Sequence, residues 1–283
     1  MDLSGSNALV TGGGRGIGRE TAAALAEAGA QVAICARSAD EVAEAAAEIG
    51  GRTGRPVLAR VTDVADPAAV EGLASFLRER WGRVDVVVNN AATLGPVGPL
   101  ADVPIEEWVA ALSANVGSVA ATSRAMLPLM SRGGSIVNLS GGGIGGPSTQ
   151  ERVSAYVASK AAIVVLTESL AREVASQAVR VNAVAPGAVA TRFTEAIIAA
   201  GPERAGERTY AETARQRAAP SHLDSYLRLV VWLASERSAW LTGRLLSARW
   251  DGVERLETLR SALADRSLLT LRRIDGDLFA TTS

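Results

Sequence analysis

The chain has 283 residues, 48% of them hydrophobic, and a formal net charge of −1. That length and apolar content suit one large α/β domain, and the near-neutral charge offers no pull toward nucleic acid or an anionic membrane. A single cysteine, Cys35, excludes an intrachain disulfide, and a single histidine, His222, excludes a multi-histidine metal site and a Ser–His–Asp triad. No run approaches the ~18 consecutive apolar residues of a membrane span. Met1 to Gly5 shows no basic region followed by an apolar one. The expectation is a cytoplasmic protein with a buried thiol, no metal, and no membrane or nucleic-acid partner.

Asn7 to Thr11 reads as a short apolar strand that runs into a glycine-rich loop, Gly12 to Gly18, and then into a helix over Arg19–Ala28 stopped by Gly29. Strand, glycine loop and helix in that order are the context in which such a loop binds a nucleotide. Glycine lets the main chain turn sharply and lie against a pyrophosphate, where free N–H groups at the helix N-terminus favour an anion. The spacing is Thr-Gly-x-x-x-Gly-x-Gly, carried by Thr11, Gly12, Gly16 and Gly18, with Gly14, Arg15 and Ile17 as the loop's other candidate cofactor contacts. A second strand follows at Gln31–Ala36. An acid at its end would bind the ribose 2′-hydroxyl of NAD, whereas an arginine suits the 2′-phosphate of NADP. Here Ala36-Arg37 stands in that place with no acid before Asp40, and Arg15 is a second cation. The cofactor expected is NADP(H) in preference to NAD(H).

Further helices at about Ala39–Ile49 and Pro67–Trp81 alternate with strands at Pro56–Val61 and Val84–Ala91, the second an almost unbroken valine run suited to burial on both faces. Such alternation predicts repeated βαβ units, hence a Rossmann-like, doubly wound parallel sheet in a single domain. A long helical region over Ile105–Met130 contains Asn115 and breaks near Pro128. Then come a strand over Ser135–Ser140, a glycine-rich loop to Pro147, and a helix carrying Tyr156 and Lys160. Four residues apart, these two share a helix face. A phenol needs help to exchange protons near neutral pH, and a neighbouring ammonium favours its phenolate, so the pair is a candidate acid/base unit.

The sixth strand is expected at Val179–Ala185, and the segment from Arg192 to about Ser221 is charged, with Gly201-Pro202 interrupting it. His222 reads as a surface residue near the start of a helix over Leu223–Ala234. A last strand is expected at Leu241–Ser247. The main domain spans 1–250, and 251–283 forms an extension whose Leu256, Leu259 and Leu263 are spaced to cover a neighbouring surface, a subunit interface or the active site of a partner subunit.

Taken together and in this order, Thr11-Gly12-x-x-x-Gly16-x-Gly18, Asp63-Val64, Asn89-Asn90-Ala91, Asn115, Tyr156-x-x-x-Lys160 and Pro186-Gly187 with Thr191 resemble the short-chain dehydrogenase/reductase family over about Leu3 to Ser247. The resemblance implies that Asp63 and Val64 flank the adenine and that Asn89 to Ala91 line the cofactor. It implies that Pro186, Gly187, Val189 and Thr191 lie beside the nicotinamide, with residues 192–221 as a substrate lid. Tyr156 would exchange a proton with a hydroxyl or carbonyl. Lys160 would bind the nicotinamide ribose and lower the tyrosine pKa, and Asn115 would hold a water on the proton path. The partners implied are a small carbonyl or alcohol substrate and further copies of the chain, as a homotetramer or homodimer.

One departure stands out. The family's catalytic serine usually lies thirteen residues before the tyrosine, which is Gly143 here, and matching the strand by its Asn-Leu-Ser pattern puts Gly141 in that place. Ser140, Ser148, Thr149 or main-chain N–H groups exposed by the glycines are the candidates to replace it; a chain in which nothing replaces it has lost activity. The reading is an NADP(H)-dependent oxidoreductase interconverting a ketone or aldehyde with an alcohol. The alternatives are a cofactor-retaining epimerase or dehydratase, and a nucleotide-binding protein without catalysis.

Overall fold

The computed structural model describes residues 1–141, 143–144, 149–264 and 268–271. Its centre is one seven-stranded sheet with every pairing parallel: β1 (Asn7–Thr11), β2 (Gln31–Ala36), β3 (Val57–Val61), β4 (Val84–Asn89), β5 (Met130–Leu139), β6 (Arg180–Ala185) and β7 (Leu245–Ser247). The order across the sheet is β3-β2-β1-β4-β5-β6-β7, so the winding reverses between β1 and β4. At such a reversal the loops leaving the carboxyl ends of the two strands diverge and open a crevice.

Strand alternation divides the core into two layers. Val10, Val88 and Val137 face one side with α1 (Gly16–Glu27), α2 (Ala39–Thr53) and α8 (Leu223–Ala234). Leu9, Val87 and Ile136 face the other with α3 (Pro67–Trp81), α4 (Ile105–Met126) and α5 (Ser154–Glu173). Among the described residues α5 alone is long and apolar enough to suit a membrane; here it packs on α4 and the sheet as a core helix.

Several element boundaries differ from expectation for local reasons. The long helix ends at Met126, and Pro128 sits in a 3₁₀ turn that lets β5 start at Met130 rather than Ser135. The last strand shrinks to three residues because Gly243, at φ +69°, turns the chain while its N–H bonds the Val181 carbonyl. After β6 come α6 (Arg192–Ala205), kinked at Gly201, and α7 (Glu207–Ala218).

The extension folds back on its own chain. Val253 and Leu256 of α9 (Val253–Thr258) and Leu263 of α10 (Arg260–Ala264) join the core beside α8, while Leu259 stays exposed. Burial of a leucine contributes roughly 1.5–3 kcal/mol. Leu245 N–H donates to the Leu269 carbonyl at 2.7 Å, so the extension also covers part of the exposed edge of β7.

Candidate active site

A cavity of about 890 Å³ opens where the loops after β1, β2, β3, β4, β5 and β6 converge. Its floor is the glycine loop. Gly12 (φ +66°) and Gly16 (φ +53°) take left-handed conformations that bend the chain into α1. A Cβ on Gly18 would lie 2.2 Å from the Gly12 carbonyl oxygen, so the loop closes on itself only without a side chain there. At Gly16 nothing lies within 4 Å, and that side of the loop is open to a ligand. The N-cap of α1, Arg15, is extended and makes no side-chain cap, which leaves the first-turn N–H groups facing the opening. Gly12, Gly14, Arg15, Gly16, Ile17 and Gly18 all line the cavity.

The loop is tied to the end of β4. The Thr11 hydroxyl accepts from the Asn90 and Ala91 N–H groups at 3.1 Å each, and the Asn90 amide donates to the Thr11 and Gly12 carbonyls at 2.8 and 3.1 Å. Asn90 and Ala91 line the cavity, as do Arg37, Asp63 and Val64 at the far end. Asn89, expected among the cofactor contacts, does not. It is 4% exposed and its amide donates to the Asn138 side chain at 2.9 Å and to Ser123 at 3.3 Å. The last residue of β4 points into the core, and the next one points out.

At the other end, α5 brings Tyr156 and Lys160 to the cavity. Lys160 is 3% exposed, its ammonium donates to the Leu139 carbonyl at 2.8 Å, and it stands 5.5 Å from the Tyr156 ring centroid. Burial pushes the tyrosine phenol up to about 12 and the lysine ammonium down to about 8. In the free protein burial disfavours the charged form of each group.

Asn115 also lines the cavity but is fully buried, and its side chain makes three hydrogen bonds: it accepts from Thr93 N–H at 2.7 Å and donates to the Thr93 carbonyl at 2.8 Å and the Ser159 hydroxyl at 2.9 Å. It clamps the segment after β4 to α4 and α5. Ser140, 2% exposed, donates its hydroxyl to the Lys160 carbonyl at 3.2 Å, a bond directed to α5. Gly141 is the residue that faces the tyrosine: a Cβ there would sit 3.3 Å from the Tyr156 hydroxyl. Thr149 is exposed, and Ser148 lies outside the described residues.

Pro186, Gly187, Val189 and Thr191 form the wall between the two ends. Thr191 caps α6 in a reciprocal box with Thr194. His222 is half-buried rather than a plain surface residue: its Nδ1 accepts from Ala188 N–H at 3.0 Å, and a Cβ on Gly187 would meet its ring at 3.1 Å. It braces this wall.

A family model described as Enoyl-(Acyl carrier protein) reductase matches residues 12–248. The chain belongs to the short-chain dehydrogenase/reductase family. It is an NAD(P)-dependent enzyme of that family. A short chain dehydrogenase/reductase of Aspergillus oryzae, astE, is 36% identical over 87% of this chain and 94% of its own length. The 3-oxoacyl-[acyl-carrier-protein] reductase FabG of Escherichia coli is 35% identical over 87% and 96%. Among solved structures, the Pseudomonas aeruginosa RhlG/NADP active-site complex superposes with a TM-score of 0.76 at 34% identity, covering 90% of this chain and 98% of that one.

The dinucleotide of this dehydrogenase/reductase has a cradle that fits it: an uncapped helix N-terminus, a loop with open space at Gly16, and a cavity running on to Tyr156. Sequence reasoning overlooked several lining residues. Glu41 directly follows Asp40 in the chain, and its signal was the Ser-x-x-Glu pattern of Ser38 and Glu41. Gln150, Glu212 and Gln216, like Arg249 and Trp250, come from segments with no readable motif.

Proposed function

We propose that this enzyme interconverts a small ketone or aldehyde with the corresponding alcohol, using NADP(H) in preference to NAD(H) and Tyr156 as the acid/base. The observation that carries the reading is the presence of Tyr156, Lys160 and the glycine cradle in one cavity. When bound, the nicotinamide supplies or accepts the hydride. Gly12, Gly16 and the first turn of α1 hold the pyrophosphate, Asp63 and Val64 the adenine, and Pro186, Gly187, Val189 and Thr191 the nicotinamide side. In reduction Tyr156 donates its hydroxyl proton to the substrate oxygen, and Lys160, still largely protonated at pH 7, stabilises the phenolate left behind.

Arg15 and Arg37, both lining the far end, support the NADP(H) preference, as does the NADP-bound relative. The substrate chamber under α6 and α7 mixes apolar walls (Leu94, Phe193, Ile197) with polar groups (Gln150, Glu212, Gln216), which suits a carbonyl compound with an apolar body and at least one polar arm. The 3-oxoacyl reductase activity named for FabG supports a carbonyl substrate. Gly141, placed opposite the Tyr156 hydroxyl, favours a second reading, a nucleotide-binding protein without catalysis.

The test is calorimetry with NADPH and NADH, followed by a carbonyl panel read by nicotinamide absorbance. NADPH should bind more tightly, Arg37→Ala should remove most of that advantage, and Tyr156→Phe should lower turnover about 10³-fold while leaving NADPH affinity unchanged. Parental activity in Tyr156→Phe overturns the proposed proton donor. Tight binding without turnover of any carbonyl favours the silent reading.

A further inference from the structure

The far end of the cavity holds an ion triad that the proposed function leaves unexplained. One carboxylate oxygen of Glu41 accepts from Arg15 at 2.7 Å and from Arg192 at 3.3 Å, and all three residues line the cavity. Glu41 is the third residue of α2, whose N-cap Ser38 accepts from the Glu41 N–H at 3.2 Å. In a capping box the glutamate at this position reaches back to the N-cap N–H. Here it bonds the two guanidiniums.

The start of α2, which carries Glu41, packs on the glycine loop. A Cβ on Gly14 would stand 3.3 Å from both the Glu41 main-chain carbon and its Cβ, so the start of α2 is pressed against the glycine loop. Arg15 belongs to that loop. Arg192 is the first residue of α6, on the far side of the sheet centre, directly after the cap Thr191. The Glu41–Arg192 bond therefore joins α2 to α6 across the mouth of the nucleotide cradle. Two arginines and one glutamate carry a net charge of +1. Arg37, exposed at the same end and without an ion pair among the described residues, raises it to +2, and Asp63 at that end brings the sum back to +1. A 2′-phosphate carries nearly two negative charges at neutral pH and presents the same oxygen acceptors as a carboxylate.

We infer that Glu41 stands in for the cofactor's 2′-phosphate in the free enzyme: a 2′-phosphate takes over Arg15 and Arg192, and the link between α2 and α6 opens. The inference rests on the NADP(H) reading and deepens it. Glu41 is thereby a specificity residue, because a 2′-hydroxyl lacks the charge to displace it. It is also a coupling residue, because only the phosphorylated nucleotide frees the start of α6, which walls the substrate chamber.

The test uses adenosine 2′,5′-bisphosphate and ADP, which carry the adenosine end without the nicotinamide. Calorimetry at low salt is done on the parent and on Glu41→Gln, with amide hydrogen exchange read at residues 192–196. In the parent, the bisphosphate should bind more tightly than ADP and should speed exchange at the start of α6, where ADP should not. Glu41→Gln should tighten the bisphosphate about fivefold, leave ADP affinity within about twofold, and exchange rapidly at α6 without ligand. Added salt should shrink the fivefold gain.

If Glu41→Gln instead weakens ADP and the bisphosphate alike, Glu41 is a ribose ligand and the inference fails. Unchanged α6 exchange in both proteins removes the coupling. A parent that prefers the bisphosphate while Glu41→Gln changes nothing overturns the role of Glu41 and leaves the NADP(H) reading standing. A parent with no preference between the two nucleotides overturns both.

Discussion

At the glycine loop the cavity wall is main chain, while at the tyrosine end it is side chains gathered from β5, α5, α6 and α7. The first wall is held by contacts with no slack, such as Gly18 against the Gly12 carbonyl and the Asn90 amide across both Thr11 and Gly12. The second has exchangeable parts: Gly141 stands opposite the tyrosine hydroxyl, and Gln150, Glu212 and Gln216 line the chamber. Lys160, at the tyrosine end, shares the rigidity of the first wall, since its ammonium bonds the Leu139 main-chain carbonyl while it lines the cavity.

The largest expected effect breaks the rigid wall. Gly18→Ala sets a methyl 2.2 Å from the Gly12 carbonyl oxygen and 2.4 Å from the Asn90 amide nitrogen. It should cost about 1–3 kcal/mol of stability and abolish nucleotide binding, read by urea melts and calorimetry. Parental affinity in that variant would mean the loop tolerates a rearrangement that the contacts forbid.

Lys160→Met tests the side chain that bonds the main chain at the tyrosine end. The lysine's folded pKa of about 8 lies below its ordinary 10.5. Between those values the unfolded chain binds the extra proton, so this residue makes stability rise with pH across that window, and below pH 8 its full penalty applies. The methionine variant should lose turnover yet be more stable than the parent at pH 7 by about 1 kcal/mol or more. That difference should shrink toward pH 10, and a difference independent of pH would contradict it. Tyr156, pushed up to about 12, acts in the opposite sense above pH 10 and does not mask the trend.

The smallest expected effect sharpens the comparison at its adaptable end. Gly141→Ser places a hydroxyl beside Tyr156, with a few tenths of an ångström to be yielded by the tyrosine hydroxyl and the Lys160 stem. Turnover of an accepted carbonyl should rise about tenfold through an added donor to the substrate oxygen. A fall in turnover at unchanged stability would show that another group already fills this role.

The doubly wound parallel class followed from the alternation of strand and helix signals, and the glycine loop from spacing alone, because both depend on neighbours in sequence. The direction of Asn89 did not, since the place where a strand ends decides which of two adjacent asparagines faces the core. The brace between His222 and the Ala188 N–H was equally hidden, as it joins positions 34 residues apart.

By itself the sequence determined the doubly wound parallel fold, the glycine turn into α1 and the Tyr156–Lys160 pair, because local periodicity, glycine conformation and helical spacing are short-range properties. Tertiary structure alone decided that Glu41 clasps Arg15 and Arg192, that the extension buries Leu256 and Leu263 on its own chain, and that Tyr156 and Lys160 shift in opposite directions. Charge pairing and desolvation depend on distances through space, and chain order does not encode those one residue at a time.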